Sequence, residues 1–160
     1  MLDKHVLRQV MGQFATGITV VTTHLNGKNY GFTANSFTSA SLEPPLVLFC
    51  LNKTSEGCQE FIESGCFAIN ILAHNQTEIS NRFANSKLEP HQRFEGLAIE
   101  QAKTGSPILQ NTMGWFDCQL KTHYDGGDHW IFIGEVVDLF RSEETEPLIY
   151  FGGKYRSLAE

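Results

Sequence analysis

The sequence predicts a mainly β fold with peripheral helices, an antiparallel closed or split barrel, and three observations predict it. About seven stretches carry strand patterning against three short helical ones. Tight-turn signals, Asn26–Gly27 and Asp125–Gly126–Gly127–Asp128, join strands as hairpins. Helical patterns do not regularly separate the strands, as a parallel α/β sheet requires.

The elements follow in order. Leu2, Val6, Val10 and Phe14 recur every fourth residue behind Asp3, which predicts a short amphipathic helix with Asp3 as its N-cap. Gly17–Leu25 is β-branched and reads as a strand; Asn26–Gly27 reverses it, and Asn29–Thr33 returns beside it. Ser36–Ser41 is extended until Pro44–Pro45 breaks it. Leu46–Leu51 is apolar throughout, the pattern of a strand buried on both faces. Ser55 is placed to cap a short helix with Glu56 in its first turn and Phe61 and Ile62 facing inward. Cys66–Leu72 alternates as a strand. Asn75-x-x-Glu78 resembles a capping box and opens another helix with Ile79 and Phe83 on one face. Residues 85–114 carry Pro, Gly and Asn and little periodicity. Trp115–Tyr124 is a strand with Phe116, Cys118, Leu120 and Tyr124 on one face, and His129–Phe140 and Leu148–Phe151 complete the set. No repeat, low-complexity segment or linker interrupts residues 1–160, so the expectation is one domain.

Composition narrows the partners. Of 160 residues, 41% are hydrophobic and 19% charged, the balance of a globular chain, and the net charge of −6 with no basic run argues against nucleic acid or an anionic membrane. The N-terminal stretch lacks the apolar core of a signal peptide, and no apolar run reaches membrane-spanning length. Cys50, Cys58, Cys66 and Cys118 lack C-x-x-C spacing and read as reduced thiols, which makes the cytoplasm the expected location. A zinc site from Cys118, His123 and His129 fits poorly, because the spacings are unusual and strand alternation puts Cys118 and His123 on opposite faces.

Hydrolase, P-loop, zincin and Rossmann signatures are absent. Four features remain. Thr33–Ser41 (TANSFTSAS) is rich in small hydroxylated side chains that let a flat ring approach the backbone; the alternative is a plain polar edge strand. Asn52–Lys53–Thr54–Ser55 joins a strand end to a helix start, where free N–H groups, the helix dipole and Lys53 could hold a phosphate; the alternative is simple capping. Arg82–Phe83 ends a helix, with Arg82 available to a phosphate and Phe83 to an aromatic ligand or to the core. His129 follows a tight turn and could project into a site.

Taken in order, these blocks resemble the flavin reductase domain family, the small reductase components of two-component flavin-dependent monooxygenases. The resemblance is carried by Thr33–Ser39, Ser41–Val47, Asn52–Ser55, Asn81–Ala84, Gly127–His129 with Ile133–Val136, and Pro147–Phe151 with Tyr155–Arg156. It implies an FMN-binding split β-barrel, a homodimer with flavin near the subunit interface, and hydride transfer from NADH or NADPH to FMN or FAD, with reduced flavin passed to a transient oxygenase component. By the same resemblance, Thr33, Ala34, Asn35 and Ser36, together with Ser39, Ala40, Ser41 and Leu42, line the isoalloxazine and ribityl chain. Asn52, Lys53 and Ser55 hold the phosphate end, Arg82 and Phe83 meet the phosphate or adenine, and His129 and Tyr155 lie on the nicotinamide side. No metal is implied. Trp130 and the absence of Arg from Phe151–Gly153 depart from the family's pattern. A non-catalytic flavin carrier on the same fold is the alternative.

Overall fold

The computed structural model describes residues 2–144 and 146–158. In chain order the elements are α1 (Lys4–Met11), β1 (Thr16–Gly17), β2 (Thr19–Leu25), β3 (Lys28–Ala34), β4 (Thr38–Leu42) and β5 (Pro45–Asn52). Next come α2 (Cys58–Ser64), β6 (Cys66–Ile71), α3 (Thr77–Ala84), a 3₁₀ turn (Pro90–Phe94), β7 (Ile99–Gln101) and β8 (Pro107–Leu109). β9 (Gly114–Asp125), β10 (His129–Arg141), β11 (Ile149–Phe151) and β12 (Lys154–Arg156) follow.

All strand pairings among the described residues are antiparallel. The main sheet has seven strands in the order β3-β2-β6-β9-β10-β5-β4, with smaller sheets β1-β11-β12 and β7-β8 beside it. The main sheet curls without closing. β3 and β5 share no ladder, yet Phe32 of β3 lies 5.7 Å from Phe49 of β5, ring centre to ring centre. This is the antiparallel, split architecture that the hairpin signals predict.

The β2–β3 hairpin turns at Asn26 and Gly27, both with positive φ (51° and 77°), the backbone that a two-residue primed turn requires. β2 is the shared wall of two cores. Val21 faces one, with Phe49, Phe61, Phe67 and Phe132; Val20 faces the other, with Leu72, Phe83, Phe94 and Leu148. At the first core's centre Phe49 stacks on Phe132 (4.8 Å, 6°) and meets Phe67 edge-on (4.8 Å, 83°).

Several expectations need correction. β5 is not buried on both faces: Val47, Phe49 and Leu51 are buried, whereas Leu46, Leu48 and Cys50 are only half-buried, because they alternate onto the face turned away from the first core. Ser55 does not cap α2, which starts later behind Gly57 in the left-handed region (φ 85°). Asn75 does not cap α3; Gln76 occupies that position and its amide instead ties Ala73 to Gln110. A bulge at Lys121 of β9 shifts the register against β10 between Ile133 and Gly134. It turns Tyr124 outward and brings His123 to the face of Cys118, where its ring stacks on Phe132 (5.9 Å). Strand alternation therefore does not separate Cys118 from His123, although no metal-binding cluster exists among the described residues. Residues 85–114, weak in periodicity, are held by distant side chains: Leu109 N donates to Asn70 Oδ1 (2.8 Å), and Thr104 N to the buried Asp117 (2.8 Å). β7, β8 and β12 have no counterpart among the strands that the sequence predicts. α1 forms with Asp3 as N-cap, but it buries none of its residues; Val6, Val10 and Met11 stay exposed.

Candidate functional site

A cleft opens at the split, where β3 and β5 part. Its smaller recess, about 260 Å³, is walled by Thr33–Ser36, Cys50 and His129. Its larger recess, about 570 Å³, is walled by Thr54, Glu56, Phe83, Ser86 and Arg93. The two share Phe32, Thr33, Asn52 and Ser55, so they form one continuous groove.

Local hydrogen bonds build its walls. Thr33 Oγ1 donates to Ser80 O of α3 (2.6 Å), and Ser36 Oγ accepts from Cys50 N (2.9 Å), bridging the gap that lacks a ladder. Asn52 Oδ1 accepts from Thr54 N (2.8 Å), an Asx turn that holds the next loop, while Lys53 N donates to Asp128 O (3.0 Å) and fastens that loop to the β9–β10 turn. The residues expected at a helix start therefore occupy a turn ahead of α2, and the hydrogen bonds of that turn, not a helix dipole, shape this part of the groove.

Several expected site residues meet here: Thr33, Ala34, Asn35, Ser36, Asn52, Ser55, Phe83 and His129 all line the groove. His129 Nδ1 lies 2.7 Å from Asp128 Oδ1. A carboxylate only accepts, so the shared proton sits on Nδ1 and leaves Nε2 for a ligand. The same hydrogen bond holds the exposed Asp128 carboxyl below its ordinary value. Burial pushes the Cys50 thiol up.

Other expected residues stand apart. Lys53 Nζ is 2.6 Å from Asp125 and 4.5 Å from the centre of the Trp130 ring, so the atypical Trp130 serves as a platform for Lys53. That hydrogen bond and one from Gly127 N–H lower the Asp125 carboxyl. Arg82 Nη1 donates to Glu95 O (2.9 Å), and Nη2 is 3.7 Å from Glu78. Tyr155 donates to Asn81 Oδ1 (2.8 Å) on α3 and packs on the second core. Ser39, Ala40 and Leu42 are exposed and Ser41 half-buried on edge strand β4, outside the groove walls.

Arg93 and Glu56 are groove residues not singled out from the sequence. Arg93–Phe94 repeats the pairing of Arg82–Phe83, but it lies in the segment without periodicity. Burial of Arg93 (6% exposed) depends on Gly31 O, which accepts from Nη1 (2.9 Å), and Leu88 O, which accepts from Nη2 (3.1 Å).

An antiparallel split sheet with an aromatic, hydroxyl-lined groove and a buried arginine in its larger recess has the surface chemistry that suits a flat ligand carrying an anionic group. The comparisons give the chain its family. The model of the flavin reductase like domain matches residues 11–159. The reductase subunit HsaB of a flavin-dependent monooxygenase from Rhodococcus jostii is 40% identical over 157 residues, 98% of this chain and 79% of that protein. Among solved structures, flavin reductase PheA2 superposes with a TM-score of 0.91 at 38% identity, covering 99% of this chain and 100% of that one. The Streptomyces globisporus NADH:FAD oxidoreductase SgcE6, in complex with NAD and FAD fragments, gives 0.91 at 35% identity over 99% and 96%. The chain belongs to the flavin reductase like domain family.

Proposed function

We propose that this chain is an NAD(P)H-dependent flavin reductase, transferring a hydride from NADH or NADPH to FMN or FAD and supplying reduced flavin to a partner monooxygenase. The continuous groove carries the reading, because its two recesses match the two ends of a flavin nucleotide. Bound flavin supplies the hydride-accepting chemistry. The protein supplies position: Thr33–Ser36 form the backbone wall for the ring, and Asn52, Ser55 and Phe83 line the path to the phosphate end. His129, oriented by Asp128, positions the nicotinamide carboxamide, and no side-chain base is required.

The family relationship supports a single domain over residues 1–160 and an oxygenase partner. Exposed Val6, Val10 and Met11 on α1, together with Phe14, Leu42, Leu139 and Phe140, support a homodimer. In that dimer Ser39, Ala40, Ser41, Leu42 and Tyr155 complete the ligand site at the subunit interface. Four free cysteines favour the cytoplasm, and no helix among the described residues is long and apolar enough to cross a membrane.

The test is a flavin spectrum of the purified protein, then NADH and NADPH oxidation with added FMN or FAD. Nucleotide oxidation that depends on added flavin is expected. Flavin binding without turnover would leave a flavin carrier, and no flavin binding would remove both readings.

A further inference from the structure

We propose that Arg93 and Glu56 form the anion subsite of the groove: Arg93 holds the phosphate end of a flavin nucleotide, and Glu56 is the loosely held counter-ion that the phosphate displaces. The proposal rests on the flavin-binding reading above and adds the residues that decide how tightly the phosphate is held.

Among the described residues, Arg93 is the one cationic side chain lining the larger recess, and Glu56 the one anionic side chain. A buried guanidinium is costly unless its charge and donors are matched. Arg93 is nine-tenths buried, yet its hydrogen bonds go to two neutral carbonyls, Gly31 O and Leu88 O. Its Nε is buried with no partner. Glu56 approaches only to 4.0 Å from Nη2, beyond hydrogen-bond distance, and its side chain is 48% exposed. The charge of Arg93 is therefore under-compensated beside a recess whose other walls include the hydroxyl residues Thr54, Ser55 and Ser86.

The rival cations are committed elsewhere, Lys53 to Asp125 and Trp130, and Arg82 to Glu95 O and Glu78. A phosphate in the recess brings more negative charge and more acceptors than Glu56 does, so it compensates Arg93 better. It also meets the Glu56 carboxylate as a like charge. Glu56 thus acts as an affinity brake, which suits a protein that must release its flavin.

Arg93 also braces Gly31 and Leu88, so its replacement can unsettle the fold; the exposed Glu56 is the safer handle. The experiment measures dissociation constants of riboflavin and FMN, by flavin fluorescence at low and high salt, for the full wild-type chain, Glu56→Gln and Arg93→Gln. Wild type should prefer FMN to riboflavin. Glu56→Gln should tighten FMN by about three- to tenfold and leave riboflavin within about twofold, the gain shrinking with salt. Arg93→Gln, where it still binds riboflavin, should weaken FMN by about tenfold or more; where it does not fold, Glu56→Gln decides alone. Equal changes for both ligands, or an unchanged FMN-to-riboflavin ratio in Glu56→Gln, overturn the subsite. A wild type that binds riboflavin without preferring FMN overturns the subsite and keeps the flavin reading. Binding of neither ligand overturns the flavin reading itself.

Discussion

Replacing Gly134 by alanine should destabilise the protein more than any simple propensity argument suggests. Gly134 lies in β10, opposite Leu120 at the β9 bulge. A Cβ there would sit 2.2 Å from Phe67 Cζ, 2.8 Å from Phe67 Cε1 and 2.9 Å from Cys118 Cβ. Phe67 and Cys118 are both fully buried, and Phe67 is itself held edge-on against Phe49, so neither neighbour has space to retreat. Overpacking of this kind costs about 1–3 kcal/mol, and a 2.2 Å approach belongs at the upper end. The lower unfolded-state entropy of alanine offsets only about 0.4–1 kcal/mol. The net loss is about 2–3 kcal/mol, or a Tm lowered by roughly 4–12 °C for a chain of this size. Gly17→Ala is the matched control: it also lies in a strand, but nothing stands within 4 Å of its added Cβ, so its Tm should stay near wild type. Differential scanning calorimetry of the two variants makes the comparison. A Gly134→Ala Tm within about 2 °C of wild type, or an equal loss in Gly17→Ala, would refute the packing argument.

Lys53→Ala should change the ratio of FMN to riboflavin affinity by less than about twofold, since its ammonium is held by Asp125 and Trp130; a selective loss of FMN in titrations would return Lys53 to the phosphate. His129→Ala should cut nucleotide-driven turnover by roughly ten- to a hundredfold while flavin affinity stays near wild type, and steady-state kinetics with unchanged kcat and KM would remove His129 from the site. Cys118, whose thiol is pushed up to about 12 by burial and by Asp117, should resist iodoacetamide near pH 8 until urea is added; mass spectrometry that finds it alkylated in native protein contradicts its packing. The Lys53–Asp125 pair should not titrate near neutrality. Its carboxyl is lowered, so the contribution is present above the ordinary carboxylate value and is lost only as pH falls through the lower folded value. The carboxyl carbon resonance of Asp125, followed by NMR, should stay flat from about pH 8 to 5 and shift only below the ordinary carboxylate range, whereas a transition near neutrality would show that another group governs the contact.

Local chemistry carried much of the fold. Asp3 as a cap, Asn26–Gly27 as a primed turn and the β-branched run of β2 need only neighbouring residues to act, so the sequence could be read directly there. The Thr33–Ser36 wall and His129 after its Gly-Asp turn were legible for the same reason. What remained depended on distant partners. The start of α2 was misplaced because Asn52 and Gly57, rather than Ser55, organise that turn. A single bulged residue, Lys121, reversed the faces of β9 beyond it, and alternation cannot foresee an insertion in the ladder. Lys53 looked like a free cation until the β9–β10 turn brought Asp125 and Trp130 to it.

The sequence alone determined the longer strands and the hairpin turns that join them, because hydrophobic period and turn chemistry act over a few residues. Only the tertiary structure decided which charges face the groove. That choice turns on burial and on hydrogen bonds between segments far apart in the chain, and it put Arg93, from a stretch with no periodic signal, into the lining of the groove, while Lys53 and Arg82 pair outside that lining.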